Sequence, residues 1–406
     1  MRSVIILIFA LTSLAYNLWS YTSSIISPTT QLIVLIGFLV AAFICVFTLA
    51  RMGIVFKSGY GQSDLLTNWS MGFFFGILLS SLLMMILFIL EDMSRIGVGT
   101  TLKINTGFFM RPDKSALIRT MAMCLGSLPI VLLFVGMALG KYHYKVNKIT
   151  LPYSDLPKAF DGFKLVQFSD LHSGNYDSSK AMIRASKLIQ NQNADLIIFS
   201  GDWINAKPDE IKPYKDIFKS LHAEYGKYSC LGNHDYGANK AWMDLENHTH
   251  IVEELKIHVR DMGFISLNNA SAKIEKDGES IQLLGVENWG NRPFPRKGDL
   301  DVATENVDKH DFSILLSHDP THWNDRVIAH EHHFHLTLAG HTHGAQFGIE
   351  TRWFRWSPVQ YVYKRWGGLY EETGQFLYVN RGLGFIGYAG RVGIRPEITV
   401  FELRVK

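Results

Sequence analysis

Five short blocks of this sequence carry side chains that could do chemistry: Ser169-Asp170-Leu171-His172, Ser200-Gly201-Asp202, Gly232-Asn233-His234-Asp235, Ser317-His318-Asp319-Pro320 and Gly340-His341-Thr342-His343-Gly344-Ala345-Gln346. Carboxylates, imidazoles and an amide oxygen are donors that suit divalent ions such as Mn, Fe or Zn. Taken singly, each block is a weak signal. An Asp and a His two apart on extended chain point the same way, yet such pairs are usually structural, and Gly-Asn-His-Asp is also the composition of a turn. The weight lies in the set, because each block directly follows a short apolar run.

Those runs are rich in β-branched and aromatic residues: Phe163–Phe168, Leu196–Phe199, Lys227–Leu231, Ile281–Val286, Phe312–Leu316, Phe334–Ala339, Gln375–Val379 and Glu397–Leu403. They are predicted strands. Between two of them, Ser179–Gln190 places Met182, Ala185, Leu188 and Ile189 at helical spacing. Strand–helix alternation predicts an α/β domain. In such folds sites gather at the carboxyl ends of strands, so a single sheet edge could bring all five blocks together.

The rest of the chain is different. The sequence has 406 residues, 47% hydrophobic and 19% charged, with a formal charge of +3. That balance argues against a disordered chain and against a basic nucleic-acid binder. Three cysteines, Cys45, Cys124 and Cys230, make neither a disulfide framework nor a zinc finger. All sixteen histidines lie at His143 or later, and the first 140 residues hold only four acidic ones: Asp64, Glu91, Asp92 and Asp113. Four uncharged runs fill this N-terminal third: Val4 to Trp19, Leu32 to Ala50, Met71 to Leu90, and about Met121 to Gly140. A helix of about 20 residues spans a bilayer's hydrocarbon core, and Trp19, Tyr21, Trp69, Tyr142 and Tyr144 stand where interfacial anchors would. The reading is four transmembrane helices, about 4–20, 32–50, 71–90 and 120–140, within an all-α region 1–145, followed by a second domain over 150–406. The first run shows no clear small-residue cleavage site, so it is read as a span rather than a signal peptide. The basic residues of the two sides differ by one, which marginally favours a cytoplasmic C-terminal domain in an inner or plasma membrane.

The order D-x-H, G-D, G-N-H-D, H, G-H-x-H resembles the calcineurin-like metallophosphoesterase superfamily over about Leu151 to Lys406. The ending Asn380-Arg381-Gly382-Leu383-Gly384, followed by Pro396-Glu397-Ile398, resembles its bacterial membrane-associated branch, which includes enzymes cleaving UDP-2,3-diacylglucosamine. Ala345 departs from that branch, which usually has a second glycine there. The resemblance implies a four-layer sandwich, two mixed sheets flanked by helices. It implies one metal on Asp170, His172 and His343, a second on Asn233, His318 and His341, and Asp202 between them. His234 matches the family's catalytic histidine, with Asp235 orienting it. Two divalent ions, two carboxylates and a bridging hydroxide would leave such a site with a charge of about +1, suited to a phosphate anion. The hydroxide would attack phosphorus in line while His234 serves the leaving oxygen.

The expected activity is therefore metal-dependent hydrolysis of a phosphoester or pyrophosphate bond, in an amphiphilic substrate beside the lipid bilayer and not in nucleic acid. Alternatives are a phosphatase or phosphodiesterase on another envelope substrate, or a non-catalytic metal-binding membrane module. Further expectations concern single residues. Arg381 could touch substrate phosphate or form a salt bridge, and Asn288 with Trp289 could line the cleft. The tract His330-Glu331-His332-His333-Phe334-His335 reads as a solvated approach to a strand. Cys230 reads as buried and inert. Thr351 to Trp366 mixes aromatic and basic residues, as a membrane interface or a lipid-phosphate site would.

Overall fold

A computed structural model of the chain describes residues 10–18, 27–57, 65–102, 116–237, 245–290 and 294–406. The helices of the N-terminal third and the sheets that follow form separate compact units.

The first unit contains helices α1 (Pro28–Lys57), α2 (Leu65–Leu102) and α3 (Ala116–Ala138). Within or overlapping them, three stretches are long and apolar enough to cross a membrane: Pro28–Ile54, Leu66–Ser94 and Leu117–Tyr142. The first predicted run, 4–20, lies mostly outside the described residues; its residues 10–18 are helical. Helix α2 continues well past the uncharged run 71–90 and carries Asp92, whose carboxylate accepts a hydrogen bond from Tyr16 at 2.8 Å.

In the second unit, one six-stranded sheet has the order β1-β14-β2-β3-β4-β5. Its strands are β1 (Lys145–Tyr153), β2 (Lys164–Phe168), β3 (Leu196–Ser200), β4 (Lys227–Cys230), β5 (Ile265–Ser266) and β14 (Glu397–Val405). The other sheet has the order β12-β13-β9-β8-β7-β6, from β6 (Ala270–Lys276), β7 (Glu279–Gly285), β8 (Ser313–Leu316), β9 (Leu336–Ala339), β12 (Gly368–Glu372) and β13 (Gln375–Val379). Both sheets are mixed, with β14 antiparallel to β2, β6 antiparallel to β7, and β12 antiparallel to β13. A small hairpin of β10 (Ile349–Glu350) and β11 (Arg355–Trp356) stands apart.

Strand alternation builds the layers. On β2 and β3, Leu165, Leu196 and Ile198 face one way, into a core shared with Leu283, Ile314, Leu316, Leu336 and Leu338 of the other sheet. Val166, Phe168, Ile197 and Phe199 face the other way, against Met182, Ala185 and Ile189 of α4 (Ser179–Gln190) and Val252, Leu255 and Val259 of α5 (Leu245–Asp261). Leu315 and Ala339 cover the outer face of the second sheet with Trp323 and Val327. Helices, sheet, sheet and helical turns thus form the expected four layers.

Three readings need correction. The five blocks do not share one sheet edge: β2, β3 and β4 deliver three of them, and β8 and β9 of the other sheet deliver two. Residues 145–153, not read as a strand, form an edge strand pairing with β14 over their whole length; their polar residues and Pro152 hide the strand pattern, and an edge tolerates both. The histidine tract is not solvated throughout. His332 and His335 are buried, His332 Nε2 bonding Ser313 Oγ at 2.8 Å and His335 Nε2 bonding Asp155 at 2.8 Å.

Candidate metal centre

The strand ends collect their blocks into one buried cluster. Asp170, His172, Asp202, Asn233 and His318 are each at most 1% exposed. Asp170, His172 and His343 offer ligand atoms within 4.8 Å of one another, and so do Asp202, His318 and His341. Asn233 Oδ1 lies 2.8 Å from His341 Nδ1. Asp202 Oδ2 stands between the groups, 3.1 Å from His318 Nε2 and 3.6 Å from His172 Nε2.

The backbone bends to do this. Asp170, His172, Asp202, His341 and His343 all have left-handed φ, between 46° and 73°. Such conformations cost a non-glycine residue about 1–3 kcal/mol each and cluster at functional sites. They are held by neighbouring loops: Asp170 N–H donates to Gly201 O (2.9 Å), and Leu171 N–H to Asp202 O (2.8 Å). Two motif glycines have a steric reason. A Cβ on Gly232 would come 2.2 Å from Asp202 Oδ1, and one on Gly340 would come 2.4 Å from Asp170 Oδ2. Ala345, where the resembling branch has glycine, keeps the left-handed conformation at φ 50°.

The donor set fits divalent cations. His318 Nδ1–H donates to Ser200 O at 2.7 Å, which turns Nε2 into the cluster, 3.1 Å from Asp202 Oδ2. Burial pushes Asp170 up to about 7 and pushes His172 down to about 3. Burial also opposes the charge on Asp202, yet His318, His234 and His172 hold its carboxyl well below the usual range. Buried carboxylates crowded together need positive charge to balance them: although burial opposes it, the Asp202 carboxylate pushes His318 up to about 10, and a divalent cation would supply that charge instead.

His234 lines the mouth of this cluster. Its backbone N–H donates to Asp202 Oδ1 (2.8 Å), and its Nδ1 bonds Asn205 O (2.9 Å). Asp235 was expected to orient that ring. Its buried carboxylate instead accepts the backbone N–H groups of Asp202, Trp203 and Gly232 at 3.0, 2.8 and 2.8 Å, so it shapes the loops that carry Asp202 and Asn233. Asn205 escaped the sequence reading. It bonds His172 Nδ1 through Oδ1 (3.0 Å) and His234 through its carbonyl. Its place three residues after Asp202 was the available signal.

Tyr363 was also missed as an individual. Its hydroxyl lies 2.8 Å from His341 Nε2, and Asp319 Oδ2 is 3.5 Å from the same nitrogen, leaving Nδ1 of His341 toward Asn233. A cleft of 210 Å³ opens over the cluster, lined among others by His172, Asp202, Asn233, His234, His341 and Tyr363.

Arg381 and Asn288 stand elsewhere. Arg381 is buried in ion pairs with Glu397 (2.6 Å) and Glu350, not presented to the cleft. Asn288 is buried and donates to Pro295 O at 2.7 Å, holding its own loop. Replacing Arg381 by methionine should leave the Glu397 carboxylate buried without a counter-charge and cost about 3–5 kcal/mol. Thermal melting of the full chain in detergent would read this as a drop of several degrees at unchanged KM. A raised KM at unchanged melting temperature would return Arg381 to the substrate. Cys230 is fully buried, and burial pushes its thiol up.

Comparison with known proteins gives the chain's relatives. The model of the family described as calcineurin-like phosphoesterase matches residues 163–345. The family described as Probable Calcineurin-like phosphoesterase, transmembrane domain, matches residues 1–141. The metallophosphoesterase YkuE of Bacillus subtilis is 31% identical over 264 residues, 63% of this chain and 84% of that protein. The UDP-2,3-diacylglucosamine pyrophosphatase LpxG of Chlamydia trachomatis is 25% identical over 57% of this chain and 81% of its own. The phosphodiesterase YaeI of Escherichia coli is 25% identical over 59% of this chain and 82% of its own.

Proposed function

We propose that this chain, which belongs to the calcineurin-like metallophosphoesterase family, hydrolyses a phosphoester or pyrophosphate bond of an amphiphilic lipid or nucleotide-lipid at two divalent metal ions. Membrane association and metallophosphoesterase membership are its established frame. The observation that carries the finer reading is the pair of ligand groups, Asp170-His172-His343 and Asp202-His318-His341, facing one another across Asp202 Oδ2.

Asp170, His172 and His343 would hold one ion, and Asn233, His318 and His341 the other, with Asp202 touching both; manganese, iron and zinc all suit these donors. Two such ions, when bound, lower the pKa of water and neutralise charge building on the phosphoryl oxygens. The chain's own residues do the rest. Asp202 fixes the spacing of the two groups. Asn205 sets the rings of His172 and His234 through one residue, so ligand and proton donor keep register. His234, with Nδ1 committed to the Asn205 carbonyl, exchanges its proton at Nε2, toward the leaving oxygen. Tyr363 and Asp319 hold His341 in the tautomer that turns Nδ1 to the second group.

An amphiphilic substrate is favoured by the spans and by a second cleft of 400 Å³, lined by residues including Pro320, Thr321, Asn324, Lys364 and Arg365, which shares Tyr363 with the metal cleft. That space suits a substrate larger than a phosphate. UDP-2,3-diacylglucosamine is the candidate, supported by the pyrophosphatase relative; it requires the domain to face the cytoplasm. The four-span count and the division at about residue 145 belong to the same reading. Full-length protein loaded with Mn²⁺ should release UMP from UDP-2,3-diacylglucosamine and also cleave bis(p-nitrophenyl) phosphate, and prior chelation with EDTA should abolish both. Turnover that survives complete metal removal would sink the reading. Cleavage of the aryl diester alone would move the substrate to another envelope phosphodiester. A C-terminal reporter fusion active only in the cytoplasm is the expected result for sidedness.

A further inference from the structure

Among the described residues of the sheet-bearing unit, the exposed large apolar side chains are scattered along the chain, with one concentration. Trp353 is 85% exposed, Tyr361 77%, Val362 75% and Phe354 54%; among the described residues from 145 onward, the next is Ile265 at 52%. Scattered exposed apolar residues are ordinary, but a contiguous group marks a contact site. Here the four most exposed fall within ten residues of chain.

The local structure explains how they are displayed. The β10–β11 hairpin pairs Ile349 with Trp356 and Glu350 with Arg355, which places Trp353 and Phe354 at its tip. Thr351 secures the tip, its N–H donating to Phe354 O (2.9 Å) and its Oγ1 accepting Phe354 N–H (3.0 Å). The back of the segment is tied to the metal-site loop: Ser357 Oγ donates to Gly344 O (2.8 Å), Thr342 Oγ1 donates to Trp366 O (2.6 Å), and Tyr363 bonds His341. Val359 and Tyr363 line the metal cleft. One short segment therefore shows aromatic rings to the outside and a wall to the site. Arg352, 4.9 Å over the Trp353 ring, and Lys364 add positive charge. Rings flanked by cations are the composition of an element resting at the headgroup–acyl boundary of an anionic bilayer. Only residues 139–144 separate α3 from β1 along the chain.

We infer that residues 351–362 form a membrane-interface element, its apolar tip seated in an anionic lipid surface at the mouth of the metal cleft. Its role in delivering substrate rests on the amphiphilic reading above; its contact with lipid does not. The test uses the full chain in nanodiscs. With brominated phosphatidylcholine and phosphatidylglycerol, the wild type should lose a share of tryptophan emission that Trp353→Phe lacks, and more with phosphatidylglycerol than with phosphatidylcholine alone. Equal quenching in both proteins would overturn the inference and leave the surface to a protein partner. The combined variant Trp353→Ser, Phe354→Ser, Tyr361→Ser should raise KM for a nanodisc-embedded amphiphile at least tenfold, while kcat/KM on bis(p-nitrophenyl) phosphate stays within twofold. Equal losses on both substrates would also overturn it, because a merely structural segment behaves so. Trp353-dependent quenching without turnover of any amphiphile would uphold the lipid contact and defeat the amphiphilic substrate instead.

Discussion

Asp202→Ala is expected to strip both metal ions from the protein and to lower turnover by at least about a thousandfold, the scale expected when charge stabilisation at the reacting centre is removed. The reason is geometric. Asp202 Oδ2 is within 3.6 Å of a nitrogen from each ligand group, whereas Asp170 lies 3.4 Å from His343 Nε2 and 3.9 Å from His318 Nε2. Asp202 Oδ1 also receives the His234 backbone N–H, so the substitution loosens the loop that carries Asn233. Metal analysis of the purified variant should fall from two ions per chain to fewer than one. A bound ion stabilises the fold by mass action, about 4 kcal/mol at a thousand times its dissociation constant. Wild-type melting temperature should therefore rise with added Mn²⁺ and that of the variant should not. A variant that keeps two ions would remove Asp202 from the shared position.

His234→Ala should behave differently. A positioned general acid contributes about 10²- to 10⁴-fold, so kcat should fall by that range while both ions remain. The backbone N–H of residue 234, which serves Asp202, survives the substitution, and the ring's Nδ1 partner is the Asn205 carbonyl rather than a ligand side chain. A substrate with a better leaving group, such as a nitrophenyl ester, should lose less, because its leaving oxygen needs less help from a proton. Loss of both ions together with activity would make His234 a ligand or a structural support. An equal loss on good and poor leaving groups would deny it the proton.

The two variants separate the cluster into its parts, and the separation tracks what was legible in the chain. The apolar runs, the eight inner strands of the two sheets and the blocks at their ends could be read directly, because strand alternation, helical spacing and the carboxyl end of a strand are local properties; the edge strands β1, β5, β6 and β12 could not. Helix 179–190 is an instance: its buried face follows from Met182, Ala185 and Ile189 alone. So is the aromatic-basic composition of 351–366.

The sequence by itself thus determined the donor types, their order along the chain and the layered α/β class. Tertiary structure decided which neighbours each donor has. Asp235 stands beside His234 in the chain, yet its carboxylate turns to the Asp202 loop, and the ring finds Asn205, 29 positions away. Arg381 looked available to a phosphate until the fold set Glu397 and Glu350 against it. His335 lost its solvent to Asp155, 180 residues earlier. Burial and pairing are contacts between distant segments. Whether a polar side chain becomes ligand, brace or ion pair depends on which partner removes its cost of leaving water, and a one-dimensional pattern carries no record of that partner.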